Sequence, residues 1–259
     1  MIDAEDRAAQ ESMEEAPALV GTDRRRPLSP ISRETLHDRV YAELRRSLIH
    51  GAFAAGEMLR IQELAERLQT STMPVREALA RLVSEQALEA LPNRSVRVPV
   101  ITRERLDDLA RARSLIEGQI VALALPNLTA QDFARLRQIA AQCEAAFRSS
   151  DGDRARLTSE HNHAFHHYIY RAARSAVLIP IIESLWLQSG PYVRAAAALH
   201  EEQRDLPGAH HHWALIEAME RGDRDGAIKA LTDDITRAFD LVRRRLDAED
   251  ADRKAANDG

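Results

Sequence analysis

Gln69-Thr70-Ser71-Thr72-Met73-Pro74-Val75-Arg76-Glu77-Ala78-Leu79 is the stretch on which the reading of this chain turns. Thr70, Ser71 and Thr72 offer hydroxyls that can accept from the free amides opening a helix, and Pro74 falls in the first turn, where its missing N–H costs nothing. The helix so begun is expected to run to about Gln86. At 3.6 residues per turn, Val75, Leu79, Leu82 and Val83 share a face that has to be buried, which leaves Arg76 and the corner formed by residues 71–73 pointing away from the core. A short helix over 61–68 precedes it. A helix pair whose second member exposes its N-terminal end is the layout that carries side chains to base edges in a DNA major groove. Ser71, Thr72 and Met73 occupy that end, and Arg76, one turn in, is the candidate for a bidentate contact to guanine. The competing reading pairs Arg76 with a neighbouring glutamate on a solvated surface.

Upstream, Leu36, Val40, Leu44 and Leu48 form one stripe that stops at Gly51, a residue suited to a left-handed helix cap. Downstream, residues 88–91 and 95–100 read as two short strands joined by Pro92-Asn93-Arg94, which puts Arg94 where it can reach phosphate or the minor groove. Three helices and a hairpin make a winged helix-turn-helix over residues 31–100. Residues 1–30 are charged, hold Pro17, Pro27 and Pro30, show no sustained apolar period and are expected to be a disordered arm. Their Arg24-Arg25-Arg26 run either touches DNA phosphate or is simply solvated.

This segment resembles the GntR family of regulators, whose pattern is a small hydroxyl residue, two variable residues and Pro-Val-Arg-Glu-Ala-Leu, then Arg-Leu and a wing. Here it reads Ser71-Thr72-Met73-Pro74-Val75-Arg76-Glu77-Ala78-Leu79, Arg81-Leu82 and the wing Asn93-Arg94-Ser95-Val96-Arg97-Val98. Many relatives have arginine where Thr72 stands, and glycine where Ser95 turns the wing. The resemblance implies double-stranded operator DNA as partner, bound by a homodimer on a two-fold related site.

The whole chain carries 36 basic and 41 acidic residues, a net charge of −5, so contact with nucleic acid has to be local rather than polycationic. Its single cysteine, Cys143, excludes an intrachain disulfide and a four-cysteine zinc site. No apolar run approaches the length of a membrane span or a secretory leader, which fits a cytoplasmic protein with no membrane partner. Aromatic residues make up only 4%, while Ala, Leu and Arg recur at helical spacing. The expected fold is mainly α, with the winged helix followed by an all-α antiparallel bundle over 104–247 and a frayed tail over 248–259.

That second region resembles the helical, FCD-type effector domain of the FadR branch of the same family. Arg113-Ser114-Leu115-Ile116-Glu117 looks like the Arg-x-x-Leu-Glu motif of its opening helix, which implies that Arg113 faces a central pocket and binds the carboxylate of a small organic acid. Read without the family, Arg113 and Glu117 are an i,i+4 pair on a helix surface. Asn162-His163-Ala164-Phe165-His166 looks like the family's Asp/Asn-x-x-Phe-His, and His212-Trp213-Ala214-Leu215-Ile216-Glu217-Ala218, ending in Gly222-Asp223, matches the motif that carries its next histidine. The family's last histidine aligns with Asp234. Relatives with Asp and three His at these positions bind a divalent metal, which implies a ligand set of Asn162, His166, His212 and Asp234 for an ion of the Zn, Ni or Mn class. The amide of Asn162 is a weaker ligand than the family's carboxylate. The remaining histidines, His161, His163, His167, His210 and His211, are read as bystanders.

Together these motifs describe a ligand-responsive transcriptional regulator rather than an enzyme. The rival is an all-α metal-dependent hydrolase of the His-Asp type, suggested by the many histidines and the pair His37-Asp38, but that pair falls on the first helix of the winged helix, remote from the other ligands. A further alternative gives the metal a purely structural role.

Overall fold

A computed structural model describes residues 35–92, 95–150, 152–200 and 207–257. The arm at 1–30, with its arginine run, and Arg94 on the wing lie outside the described residues. Helix α1 (Leu36–Ile49) opens on a capping box: Thr35 Oγ1 accepts from the Asp38 amide at 3.2 Å, and the Asp38 carboxylate accepts from the Thr35 amide at 3.1 Å. It closes at His50 and Gly51, whose φ of +65° needs glycine. Strand β1 (Met58–Leu59), helix α2 (Ile61–Arg67), helix α3 (Thr72–Ser84) and strands β2 (Glu89–Ala90) and β3 (Val96–Arg97) follow.

The wing is a three-stranded antiparallel sheet of order β1-β3-β2, with Met58 and Glu89 both opposite Arg97. Its hairpin strands are shorter than the sequence suggests, two residues each, and β1 had no legible signal, because two residues show no alternation. Val40, Leu44 and Leu48 of α1, Leu64 of α2, Val75, Leu79 and Leu82 of α3 and Val96 form one core. Leu36, which its spacing assigned to that stripe, is the first residue of α1 and is 52% exposed.

Helices α4 (Arg103–Ala124), α5 (Ala130–Arg148), α6 (Arg154–Ala172), α7 (Leu178–Leu199), α8 (His210–Glu220) and α9 (Arg224–Asn257) build the bundle, with a 3-10 turn, Leu125–Asn127, after α4. Its core includes Leu106, Ile120, Leu136, Phe165, Ile169, Trp186, Tyr192, Leu231 and Phe239. Each such side chain contributes on the order of 1.5–3 kcal/mol of transfer free energy. The frayed tail expected from 248 is instead the last turns of α9, which runs to Asn257. No Gly or Pro interrupts those residues, and pairs such as Arg245–Glu249 at 2.7 Å support the helix.

The two domains share a tightly fitted seam. Leu187 of α7 is buried within the winged-helix core, and Arg45 of α1 pairs with Glu183 of α7 at 3.2 Å. Arg105 donates to the Gln86 carbonyl at 2.8 Å, and Arg194 donates to the Gly51 carbonyl. A Cβ on Gly190 would lie 1.9 Å from the Leu48 carbonyl oxygen, so only glycine lets α7 come this close to the end of α1.

Candidate functional site

The recognition end of α3 follows from how Pro74 and Val75 pack. Both are buried, and they turn Ser71, Thr72 and Met73 outward; Met73 is 57% exposed. Ser71 is the N-cap residue, although its hydroxyl makes no capping hydrogen bond, and Thr72 is the first helical residue. Arg76 is exposed and forms no ion pair or hydrogen bond with any described residue. Its neighbour Glu77 is taken by His37 of α1 instead, so the pairing expected of a bland surface arginine is not made. His37 and Asp38 are both spent within the winged helix, Asp38 as the cap partner of Thr35.

At the bundle centre, four side chains from α6, α8 and α9 converge. His166 Nε2 lies 3.1 Å from Asp234 Oδ2, His212 Nε2 lies 3.9 Å from the same oxygen, and His212 Nε2 lies 3.0 Å from Asn162 Oδ1. Asn162 and His166 meet the others because they stand one turn apart on α6. The ligand atoms of His166, His212 and Asp234 all fall within 4.8 Å of one another, the one such cluster among the described residues.

The electrostatics suit a cation. Burial takes the His212 imidazole down to a pKa of about 3, leaving it neutral. Burial also raises Asp234, but its interactions with His212 and His166 prevail and hold it below the ordinary carboxylate range. Imidazole and carboxylate are the donor types of zinc-class ions, and the Asn162 amide oxygen is a weaker fourth donor. Donors that span 4.8 Å need only small movements to meet at bonding distance. Among the described residues, His166 Nδ1 and His212 Nδ1 have no hydrogen-bond partner. Cys143 is buried with its thiol pushed well up by burial, which keeps it protonated and unsuited to ligation.

Arg113 is neither on the surface nor free. It is 3% exposed and Glu117 is 0% exposed, with Nε 2.6 Å from Glu117 Oε1 and Nη2 3.4 Å from Oε2. Tyr170 donates to the same carboxylate, and the guanidinium carbon lies 4.1 Å from the Trp186 ring centre. The i,i+4 pair is therefore real but buried. Arg113 Nη1 makes no hydrogen bond with a described residue.

Arg113, Asn162 and Asp234 also line a pocket of about 40 Å³, enough for roughly three water positions. Two further polar residues on its wall were not legible in sequence. Arg237 stands three residues after Asp234 and donates to the Gly208 carbonyl at 3.3 Å and meets His200 Nδ1 at 3.0 Å. Thr158, one turn before Asn162, has a buried hydroxyl without a partner among the described residues. Their spacing from the ligand positions was the available signal, since i,i+3 and i,i+4 neighbours share a helix face.

Comparison with known proteins agrees with both halves. Residues 36–98 match the family described as bacterial regulatory proteins, gntR family, and residues 108–237 match the FCD domain. The chain is similar to the HTH-type transcriptional regulator McbR of Escherichia coli (strain K12), 33% identical over 198 residues that span 75% of this chain and 87% of that one. The probable D-xylose utilization operon transcriptional repressor of Paenarthrobacter nicotinovorans is 26% identical over 205 residues, 78% of this chain and 86% of that one. Among solved structures, E. coli McbR/YncC superimposes with a TM-score of 0.71 at 29% identity, covering 82% of this chain and 99% of that chain. No described helix is long and apolar enough to cross a membrane. The relatives are regulators, which removes the hydrolase reading: the chain belongs to the GntR family, with an FCD effector domain behind its winged helix, and is a DNA-binding transcriptional regulator and not an enzyme.

Proposed function

We propose that the protein is a homodimeric, ligand-responsive regulator that reads a two-fold operator with Ser71, Thr72, Met73 and Arg76, aided by Arg94 on the wing, and answers to a small carboxylate. The observation that carries the DNA reading is Arg76, exposed one turn inside a helix whose opposite face is buried and without an acidic partner among the described residues. With Thr72 where many relatives have arginine, Arg76 is the main guanine reader, and the hydroxyl and methyl groups of Thr72 and Met73 supplement it.

In the bundle, Asn162, His166, His212 and Asp234 would hold a divalent ion of the Zn, Ni or Mn class. When bound, that ion supplies a positive charge for one effector carboxylate oxygen. Arg113 offers the effector Nη1 and the second N–H of Nη2, because Glu117 takes the Nε hydrogen and one on Nη2. Arg237 and the Thr158 hydroxyl complete the polar lining, against the apolar Val193, Ala196, Ala197 and Leu241. The volume of about 40 Å³ favours an acid of few heavy atoms.

Helix α7 connects this pocket to the DNA-binding domain. Trp186 covers Arg113 and stands 5.4 Å from His166, while Leu187, Gly190 and Glu183 grip α1 and its core. An effector that displaces Trp186 or Val193 therefore shifts both winged helices of the dimer. A gel-shift titration against DNA upstream of the gene tests the reading. A specific complex is expected, with its midpoint moved by a small acid in the metal-loaded protein. Equal affinity for unrelated DNA would refute the operator assignment, and an unmoved midpoint across sugar acids, dicarboxylates and amino-acid-derived acids would refute the sensing role.

A further inference from the structure

Between the two domains lies a second and larger cavity, about 900 Å³, bounded by α1 and α3 on one side and by α6 and α7 on the other. Four arginines line it: Arg45 and Arg46 on α1, Arg81 on α3 and Arg171 in the last turn of α6. The chain as a whole has a net charge of −5, so guanidinium groups gathered from three helices around one concave space are a local exception. A cleft lined by one sign of charge focuses its field and concentrates ions of the opposite sign. Its inner wall on α6, formed by His163, Ala164 and His167, brings no carboxylate.

Three carboxylates share the lining, and their pairing leaves the balance positive. Glu160 is held at 2.7 Å by Arg156, which is not part of the lining. Glu85 accepts from Arg81 Nε at 3.1 Å and from the Tyr41 hydroxyl at 2.7 Å, and Glu183 accepts from Arg45 Nη2 at 3.2 Å. A guanidinium carries five N–H donors, so Arg81 keeps both Nη groups and Arg45 keeps Nη1 for a further acceptor. The Tyr41 ring, 3.6 Å below the guanidinium carbon of Arg81, holds that fork in place. Arg171 is exposed and makes no ion pair or hydrogen bond with any described residue. A cation is favourable at a helix C-terminus, but that alone does not place Arg171 on the same cleft as three other arginines.

Arginine forks match the oxygens of a phosphate in bidentate geometry, and several of them around one space suit an anion that carries more than one charge. The volume falls among those of clefts that hold small organic ligands. Arg81 stands nine residues beyond Thr72 on α3, about 13 Å along the helix axis, so the cleft is separate from the recognition end. We propose that the interdomain cleft binds a phosphorylated small molecule, held by Arg45, Arg46 and Arg81 of the winged helix and by Arg171 of the bundle. Its occupant bridges the two domains and is independent of the acid sensed in the inner pocket.

Isothermal titration calorimetry of the full chain with pyrophosphate, in metal-free buffer at fixed ionic strength, tests this. Pyrophosphate is too large for the inner pocket of about 40 Å³. One saturable site per chain is expected, which acetate at the same ionic strength does not fill. Arg171→Gln should weaken binding about 10-fold, the loss of one charge-assisted contact. Arg81→Gln should do the same, and it gives the readout if the first variant misfolds by circular dichroism. Glu183→Gln should strengthen binding about 2- to 5-fold, because it removes an opposing charge and releases Arg45 from a partly exposed ion pair. Unchanged affinity in both arginine variants overturns the proposal, as does weaker binding in Glu183→Gln or acetate that competes with equal affinity. Binding that Arg76→Ala abolishes and Arg171→Gln spares would place the anion on the DNA-binding face and overturn it as well.

Discussion

Glu117→Gln removes one charge from the most deeply buried ion pair among the described residues and keeps the shape of the side chain. In the native protein the guanidinium of Arg113 and the carboxylate of Glu117 are both inaccessible; the Tyr170 hydroxyl donates to the carboxylate, the Trp186 ring covers the guanidinium, and Asp234 acts on Arg113 from farther away. Opposite charges about 4 Å apart attract by about 4 kcal/mol at an effective dielectric constant of about 20. Breaking a buried pair on one side typically costs about 3–5 kcal/mol, because the remaining charge stays unpaired in the interior. The variant should therefore be about 3–5 kcal/mol less stable in urea, and in a domain of this length it should melt roughly 10–20 °C lower. Removing both charges with Arg113→Met and Glu117→Leu should recover most of that loss, since a well-packed apolar pair is often as stable as the ion pair it replaces. The double variant should keep its fold and its operator affinity but lose its response to small acids, because Arg113 Nη1 is gone. The reasoning fails if Glu117→Gln costs less than about 0.5 kcal/mol, or if the double variant is less stable than the single one.

Arg76→Ala should weaken specific operator binding by about 1–3 kcal/mol, roughly 5- to 150-fold, with little change for non-specific duplex; an equal loss on both would make Arg76 a phosphate contact. Chelation should lower the melting temperature by an amount that His166→Ala abolishes; at free metal near 100 Kd the linkage is worth about 2.7 kcal/mol, and a melting curve indifferent to chelator would argue against the inner site. Gly190→Ala would stabilise an ordinary helix by about 0.5–1 kcal/mol, but here the added Cβ meets the Leu48 carbonyl at 1.9 Å, so a loss of about 2 kcal/mol or more is expected in chemical denaturation. Leu115 is 65% exposed on α4, and Leu115→Asp should drive a homodimer toward monomer in sedimentation velocity if that face is the one buried between subunits.

Local chemistry alone determined the winged helix. The spacing of Val75, Leu79 and Leu82, Pro74 in the first turn of α3 and the stop at Gly51 act within one or two turns, so they can be read without knowing what lies opposite; the capping expected of the hydroxyls ahead of Pro74 is not made by Ser71. The metal-type cluster was legible only as residues at helix-periodic positions in three separate segments; its convergence depends on α6, α8 and α9 packing against one another, which no single segment encodes. Burial of the Arg113–Glu117 pair was beyond the sequence for the same reason, because an i,i+4 spacing is identical on a wet face and a dry one. Which side of α4 faces Trp186 and Tyr170 is set by long-range packing. The seam was equally hidden: Leu187 belongs to a domain core about a hundred residues upstream, and Gly190 matters only because the end of α1 lies against it. Short-range hydrogen bonds and periodicity fixed the elements, whereas the desolvation of charges and the approach of backbones were decided when distant helices came together.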